Sequence, residues 1–134
     1  MIVADTNLVS YLLIPGEFTE LVKAVLKRDK EWIAPPLWYH ELLNVIATSV
    51  RANLIPLADG ELMLAEAPIY IRSYAHERPS DVLRLSVETK IATYDCEFVV
   101  LARRLKLRLV TKDKALLRAF PDVAVSIEDF ASGK

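Results

Sequence analysis

The sequence predicts an α/β fold in three layers, with a short parallel β-sheet of four to five strands flanked by helices on both faces. Two observations predict it. Short continuous apolar runs recur along the chain, as expected of strands buried on both faces. They alternate with longer segments whose apolar residues recur at helical spacing. At 134 residues, the chain is long enough to form a single domain, 1–134, with its own core.

Four apolar runs are predicted as strands. Asp5-Thr6-Asn7 ends the first run and Pro35-Pro36 closes the second, because these residues favour turns and helix starts over strand interiors. The predicted strands are residues 2–4, 32–34, 108–111 and 123–125.

The segments between the strands are predicted as helices. Asp59 and Ser80 are the expected N-caps of two of them, and Pro68 is expected to kink or break the helix that Asp59 caps. Residues 75–79 are expected to form a connector, and the stretch 37–74 is expected to form two helices beside the sheet with no strand between them. The predicted helices are residues 8–14, 17–30, 37–54, 59–74, 80–92, 95–106 and 114–120.

Charge is unevenly distributed along the chain. The formal net charge is −1, but residues 103–118 carry seven basic residues against one acid, whereas residues 1–102 carry nine basic and fourteen acidic residues. A local basic surface attracts polyanions whatever the total charge, although a solvated helix face would give the same pattern. The candidates for such a surface are Arg103, Arg104, Lys112, Lys114 and Arg118.

The single cysteine, Cys96, lies in an apolar run and is expected to be a packed thiol. One cysteine cannot form an internal disulfide, which favours a reducing compartment. The N-terminus lacks the pattern of a signal peptide, and no apolar stretch approaches the length of a membrane span. A cytoplasmic protein that does not enter a membrane is therefore expected.

Four acids stand where a predicted strand ends or near the start of a helix. Asp5 follows the first strand, Asp113 lies two residues past the strand that ends near Thr111, and Asp95 and Glu41 lie in first helical turns. In an open parallel sheet, ligands bind at the carboxyl ends of the strands. Carboxylates gathered there would repel one another unless a cation neutralised them, and oxygen ligands suit Mg²⁺ or Mn²⁺.

Each acid also has a simpler interpretation. Asp5, Asp95 and Asp113 would serve equally well as helix N-caps, and a lone Glu41 would usually be a solvated helix residue. The residues that follow Glu41 give its helix a polar stripe through Asn44 and Thr48. Only the possibility of placing all four acids at one edge favours a shared site.

Other titratable residues are weaker candidates. Glu97 is turned about 200° around the helix from Asp95, and is expected to face solvent. His40 is turned about 100° from Glu41, and His76 falls in the predicted connector. Neither histidine is expected to act in acid–base chemistry.

Other acidic or phosphate-binding α/β sites fit less well. A haloacid-dehalogenase-type phosphatase would have a second acid at position 7, which is Asn7. A response-regulator receiver would have an acid pair after the first strand, where there is only Asp5, and a late lysine in another strand, whereas Lys112 adjoins Asp113. The chain has only three glycines, and no glycine-rich phosphate loop.

In four segments taken in order, the chain resembles PIN-domain nucleases, in particular the VapC-type toxins of toxin–antitoxin pairs. The segments are 2–8 (IVADTNL), 38–45 (WYHELLNV), 94–102 (YDCEFVVLA) and 109–116 (LVTKDKAL). The resemblance implies that the four acids bind Mg²⁺ or Mn²⁺ and carry the catalysis, namely Asp5, Glu41, Asp95 and Asp113. It also implies that nearby polar side chains support them or contact phosphate, the candidates being Thr6, Asn7, Asn44 and Thr111.

The expected function is a metal-dependent endoribonuclease, the toxin of a VapBC-type pair, acting on RNA and bound by a cognate antitoxin. Two alternatives stay open: a housekeeping RNA-processing PIN nuclease, and a PIN-like module that binds RNA or protein without catalysis. An intact acid set disfavours the binding module, since unneutralised carboxylates repel RNA. Excess apolar residues in 37–74 also predict a homodimer interface, with contributions from Leu62, Met63, Ile69 and Tyr70.

Overall fold

A computed structural model describes residues 1–75 and 78–134. Five parallel strands form one sheet in the order β3-β2-β1-β4-β5. Helices flank this sheet, so the predicted α/β fold with a short parallel sheet is confirmed. The strands are β1 (Ile2–Ala4), β2 (Trp32–Ala34), β3 (Ile71–Ser73), β4 (Leu109–Thr111) and β5 (Ala124–Ser126).

Strands β1 and β4 lie side by side at the centre of the sheet. Val3 pairs with Leu109 and Ala4 with Val110, and all four side chains are fully buried. Burial on both faces explains why these strands are continuously apolar. Since the strands are parallel, their carboxyl ends meet at one edge, where Asp5 follows β1 and Thr111 ends β4.

Two groups of helices cover the sheet. Helices α1 to α4 and α8 contact one another, whereas α5 and α6 pack together and α6 lies against β1 and β4. The helices are α1 (Thr6–Leu13), α2 (Thr19–Arg28), α3 (Trp38–Arg51), α4 (Leu57–Tyr70), α5 (Pro79–Thr89), α6 (Thr93–Leu105), α7 (Lys114–Ala119) and α8 (Ile127–Ala131). The short helix α8 was not predicted.

Two helices joined without a strand follow β2 as predicted, but the predicted helix 59–74 is wrong at its C-terminal end. Helix α4 ends at Tyr70, and Ile71–Ser73 forms β3, which pairs with all three residues of β2. Only Ile71 of this edge strand is buried. Three residues with one buried side chain leave no alternation in the sequence, so the strand exists because β2 offers a free edge.

Two predicted helix starts are also wrong. Helix α4 begins at Leu57, because Pro56 holds the preceding extended conformation, and Asp59 lies inside the first turn. Helix α5 begins with Pro79 at its first position, which places Ser80 within the helix. Pro68 does not break α4, which continues to Tyr70. In the predicted connector, residues 76 and 77, including His76, lie outside the described residues.

Within residues 1–75 and 78–134, no helix is both long and apolar enough to cross a membrane. Cys96 is buried in α6 as a free thiol, as its apolar surroundings predicted.

Candidate active site

Asp5 lies at the carboxyl edge of the sheet, immediately after β1. One carboxylate oxygen, Oδ1, caps α1 by accepting a hydrogen bond from the Asn7 N–H at 3.2 Å. The other, Oδ2, accepts a 2.6 Å hydrogen bond from the Thr111 hydroxyl at the end of β4. The helix-cap interpretation is therefore correct for Asp5, but capping occupies only one of its oxygens.

Asp113 shares Thr111 with Asp5. The Asp113 N–H donates to Thr111 Oγ1 at 3.0 Å, while its own Oδ1 caps α7 by accepting from the N–H groups of Ala115 and Leu116 at 2.8 and 3.2 Å. Thr111 has no solvent-exposed surface. It thus connects the two acids through one buried hydroxyl, donating to Asp5 and accepting from Asp113.

Glu41 lies in the first turn of α3, on a different element from Asp5. Its Oε1 accepts a 2.7 Å hydrogen bond from the hydroxyl of Thr6, the first residue of α1, which is buried. Because Thr6 directly follows Asp5, this bond holds Glu41 beside the end of β1. Asn44 is exposed one helical turn further along α3.

Asp95 lies in the first turn of α6, where the N-cap position is occupied by Ala92. The helix-cap interpretation is therefore wrong for Asp95. Its carboxylate is partly buried, which a solvated cap would not require.

Burial and mutual repulsion act on these acids together. Burial is the main cause that raises the pKa of Asp5, of Glu41 and of Asp95. The charge of Asp113 further raises the pKa of Asp5 and of Asp95, and the charges of Asp5 and Asp95 raise that of Glu41. Two hydrogen bonds act in the opposite direction. The bond from Thr111 lowers the pKa of Asp5, and the bond from Thr6 lowers the pKa of Glu41. The four predicted acids are therefore electrostatic neighbours.

Glu97 lies closer to this edge than the helical angle alone predicted. It is partly buried, and its charge is one of the causes that raise the pKa of Glu41. Burial also raises the pKa of Glu97 itself. The expectation that it faces solvent away from the acids is wrong, because its position on α6 is partly buried and brings its charge within electrostatic range of Glu41.

The donor set suits a hard divalent cation, since every candidate ligand is a carboxylate and a nearby cation would relieve their repulsion. The side chains are not preassembled as a coordination shell: in the described part of the chain, no three Asp, Glu, His or Cys residues stand closely enough to hold a metal ion. An ion at this edge would therefore have to draw the carboxylates inward.

The basic residues of the segment 103–118 lie in different places relative to the acids. Lys112 lies between Thr111 and Asp113, next to the acids, and Lys114 begins α7. Arg103 and Arg104 lie in the last turn of α6, about 12 Å along the helix axis from Asp95. Arg103 also makes a bidentate ion pair with Asp122, at 2.9 and 3.1 Å. Of the five candidates for a basic surface, these two arginines therefore lie away from the acids.

Comparison with known proteins agrees with this arrangement. Residues 2–121 match the PIN domain family. The chain belongs to the PIN-domain family. It is 26% identical over 125 residues to Ribonuclease VapC3 of Pyrobaculum aerophilum, an alignment that spans 90% of this chain and 95% of the relative. The resemblance to a VapC-type PIN nuclease, predicted from four short segments, is thereby confirmed.

The PIN fold is also evident in three dimensions. The crystal structure of PAE2754 from Pyrobaculum aerophilum superposes with a TM-score of 0.80, covering 98% of this chain and 92% of that chain at 20% identity. At this identity, the likeness concerns the fold.

One neighbour of the acids was missed by the sequence analysis. Burial, followed by the charges of Asp5 and Glu17, raises the pKa of Tyr11, so its phenol lies within electrostatic range of the acidic edge. From the sequence alone, Tyr11 cannot be distinguished from the other apolar positions of α1. No spacing rule distinguishes an aromatic residue beside a site from one in the core.

Proposed function

We propose that this PIN-domain protein is a metal-dependent endoribonuclease and the toxin of a VapBC-type toxin–antitoxin pair. The observation that carries the proposal is the electrostatic coupling of Asp5, Glu41, Asp95 and Asp113 at the carboxyl edge of the sheet. A cluster in which burial and neighbouring charges raise the pKa of Asp5, Glu41 and Asp95 is costly to keep without a cation, so it is best explained by a function that uses one. Similarity to a protein named Ribonuclease VapC3 supports RNA as the substrate.

Mg²⁺ or Mn²⁺ would be held by Asp5, Glu41, Asp95 and Asp113. When bound, such an ion lowers the pKa of a water molecule and neutralises charge on a phosphodiester. The carboxylates differ in how freely they can move toward an ion. Asp5 is held by hydrogen bonds at both oxygens, whereas Asp113 uses Oδ1 for its helix cap and Glu41 uses Oε1 for Thr6.

The remaining oxygens supply the acid–base chemistry in this proposal. A carboxylate oxygen not engaged by the ion accepts the proton of the attacking water, and a raised pKa brings that carboxylate closer to the range of an effective base. Thr111 and Thr6 keep their partners oriented during this transfer. Lys112 contributes a positive charge beside Asp113 that favours approach of an RNA phosphate.

A housekeeping RNA-processing nuclease would use the same site. The two roles differ in their partners, because a toxin is expressed with a small antitoxin that binds it. A short gene for a DNA-binding antitoxin next to the gene for this protein would support the toxin role. A non-catalytic binding module is disfavoured, since unneutralised carboxylates repel RNA phosphates.

Self-association and a cytoplasmic location complete the proposal. Leu62 and Ile69 of α4 are 62% and 76% exposed, which is high for large apolar side chains on a monomer. Met63 and Tyr70 are partly buried against the core and would contribute less. We place the homodimer interface on α4 around Leu62 and Ile69.

The experiment that tests the enzymatic proposal incubates total cellular RNA with the protein in Mg²⁺, in Mn²⁺ and in EDTA, and maps new RNA ends by sequencing. Wild-type protein is expected to produce discrete ends in metal only. Asp5→Asn, which preserves shape and capping ability, is expected to produce none. Asp122→Asn serves as the control, because Asp122 lies in the α7–β5 connection and makes an exposed ion pair with Arg103 at the far end of α6. Identical patterns from wild type and Asp5→Asn would reject the proposal.

A further inference from the structure

Three side chains from separate elements meet beside the acids. The rings of Tyr11 from α1 and Phe18 from the α1–α2 connection lie 5.0 Å apart between centroids, tilted by 42°. The ammonium of Lys112, from the β4–α7 connection, lies 4.0 Å from the centroid of the Phe18 ring. Two aromatic surfaces and one cation are thus assembled from residues distant in sequence.

Tyr11 and Phe18 form walls of a cavity of about 230 Å³, whose lining also includes Ser10, Ile14 and Val45. Its surface is mostly apolar. The cavity is smaller than the roughly 300–1,000 Å³ of sites that take drug-sized ligands. It therefore suits one planar ring system and not a whole oligonucleotide.

The connection that carries Phe18 is pinned in place. The Thr19 hydroxyl donates to the Tyr11 carbonyl oxygen at 2.8 Å and accepts from the Gly16 N–H at 2.9 Å. Since one hydroxyl joins the end of α1 to the start of α2, the two aromatic walls are held in a fixed relation. A prearranged pocket of this kind loses little conformational entropy when a ligand binds.

Three observations place the cavity near the acidic edge of the sheet. Val45 lies one helical turn, about 6 Å, beyond Glu41 on α3. Lys112 stands between Thr111 and Asp113, the residues that link to Asp5. The charge of Asp5 contributes to the raised pKa of Tyr11. A phosphate at the acids would therefore bring a neighbouring nucleotide to this cavity.

We propose that Tyr11, Phe18 and Lys112 form a subsite that binds one unpaired base of single-stranded RNA next to the scissile phosphate. The base stacks against the aromatic walls, and the Lys112 ammonium contacts a phosphate oxygen of the same strand. This inference rests on the proposed nuclease function and adds to it the residues that select the cleaved position.

The chemistry of the surface favours a base over other occupants. Base stacking on aromatic side chains is the usual way in which proteins hold unpaired RNA bases, and a nearby cation tracks the backbone. An aliphatic side chain would fill the apolar cavity equally well, but would not use the positive charge of Lys112. A double-stranded segment cannot use the subsite, because its bases are stacked on one another.

The test uses synthetic single-stranded RNA 15-mers centred on a cleavage position mapped with the wild-type protein. A series of 15-mers carries one abasic nucleotide at each position flanking that bond. For wild type, an abasic nucleotide at one flanking position is expected to raise KM about 5- to 150-fold, the range that corresponds to loss of one stacked base. Phe18→Leu and Tyr11→Leu are expected to raise KM on the intact 15-mer and to lose this sensitivity to the abasic nucleotide. Tyr74→Leu, at another partly exposed tyrosine, is the matched control.

Lys112 is tested separately, because its replacement leaves the aromatic walls intact. Lys112→Gln is expected to raise KM on every 15-mer alike and to reduce the salt dependence of KM by about one counterion, whereas Lys112→Arg should retain both. Lys27→Gln, an exposed lysine on α2, is the control for charge. Thermal unfolding establishes that each variant is folded.

The outcomes separate the two proposals. If wild-type protein yields no metal-dependent ends, both proposals fail, because the subsite rests on the nuclease function. If wild type cleaves but folded Phe18→Leu keeps the full abasic penalty, the subsite assignment is overturned. An unchanged salt dependence in Lys112→Gln would likewise overturn the role of Lys112.

Discussion

The hydroxyl of Thr111 donates a 2.6 Å hydrogen bond to Asp5 across the central pair of strands. Thr111 ends β4, Asp5 follows β1, and the two strands are parallel neighbours. The orientation of an acid at the candidate site is therefore set by strand pairing and not by a loop. The same hydroxyl accepts from the Asp113 N–H, so one buried oxygen serves two of the four acids.

Replacement of Thr111 by Val removes this hydroxyl while keeping a β-branched shape. We expect Thr111→Val to lower the free energy of unfolding by about 1–3 kcal/mol, because two buried polar groups lose their partner. Urea denaturation of the metal-free protein measures the change. Thr111→Ser retains the hydroxyl and should lose less. Equal stability of the Val and Ser variants would show that the hydrogen bonds contribute little.

The metal-free protein should become more stable as the pH falls from neutral toward the ordinary carboxyl range. The folded-state pKa values of Asp5, Glu41 and Asp95 are raised, mainly by burial, so the folded state binds protons that the unfolded state releases. Between the ordinary pKa values, about 4, and the raised ones, stability therefore decreases as pH rises. Each extra bound proton contributes a slope of up to about 1.4 kcal/mol per pH unit.

Urea midpoints measured in EDTA between pH 4 and pH 8 test this expectation. The ion pair of Asp122 acts in the opposite direction, because Arg103 lowers the pKa of Asp122, but both side chains are largely exposed and the contribution is small. Asp5→Asn should flatten the slope. A stability that rises with pH in wild type would contradict the electrostatic account of the site.

Asp113 has two separable roles, as a helix cap and as a candidate metal ligand. Asp113→Ala should lower the free energy of unfolding by about 0.5–2 kcal/mol, since two N–H groups of α7 lose their acceptor. Asp113→Asn should retain most of that stability, because Asn caps helices well. We expect both variants to reduce the rate of RNA cleavage by more than about 10- to 100-fold. A loss of about 10- to 100-fold is typical when a residue that is hydrogen-bonded to a metal ligand is replaced. Full cleavage by Asp113→Asn would show that Asp113 is only a cap.

The interface proposed on α4 predicts that Ile69→Asp shifts the protein from dimer to monomer. The side chain of Ile69 is 76% exposed in the single chain, so the substitution should leave its fold intact. Light scattering at micromolar concentration measures the mass. Leu83→Asp on α5, also a well-exposed apolar position, is the control outside the interface. A wild-type mass of one chain would contradict the interface.

The sequence predicted the parts of the fold that have strong local causes. Buried runs such as Ile2–Ala4 are apolar because both faces are covered, and their pattern needs no tertiary information. The strand Ile71–Ser73 could not be predicted in this way, since it follows a helix directly and is created by pairing with β2. Start signals failed at Asp59 and Ser80, where a nearby proline fixed the helix start instead.

The candidate site likewise has a part that the sequence could predict and a part that it could not. Parallel pairing explains why residues after β1 and β4 share an edge, and the sequence rule for strand ends uses only that fact. The approach of Glu97 to Glu41, and the meeting of Tyr11, Phe18 and Lys112, depend on how helices and connections pack across long sequence separations. One sequence contains no periodic signal for such contacts.

The central claim is that one site for divalent cations is formed jointly by Asp5, Glu41, Asp95 and Asp113. The measurement that tests it most directly is calorimetric titration of Mn²⁺ into metal-free wild type, Asp5→Asn, Asp95→Asn and the control Asp122→Asn. We predict saturable binding by wild type and Asp122→Asn, and weakening of at least about tenfold in both site variants. Unchanged Mn²⁺ affinity in Asp5→Asn and Asp95→Asn would contradict the account.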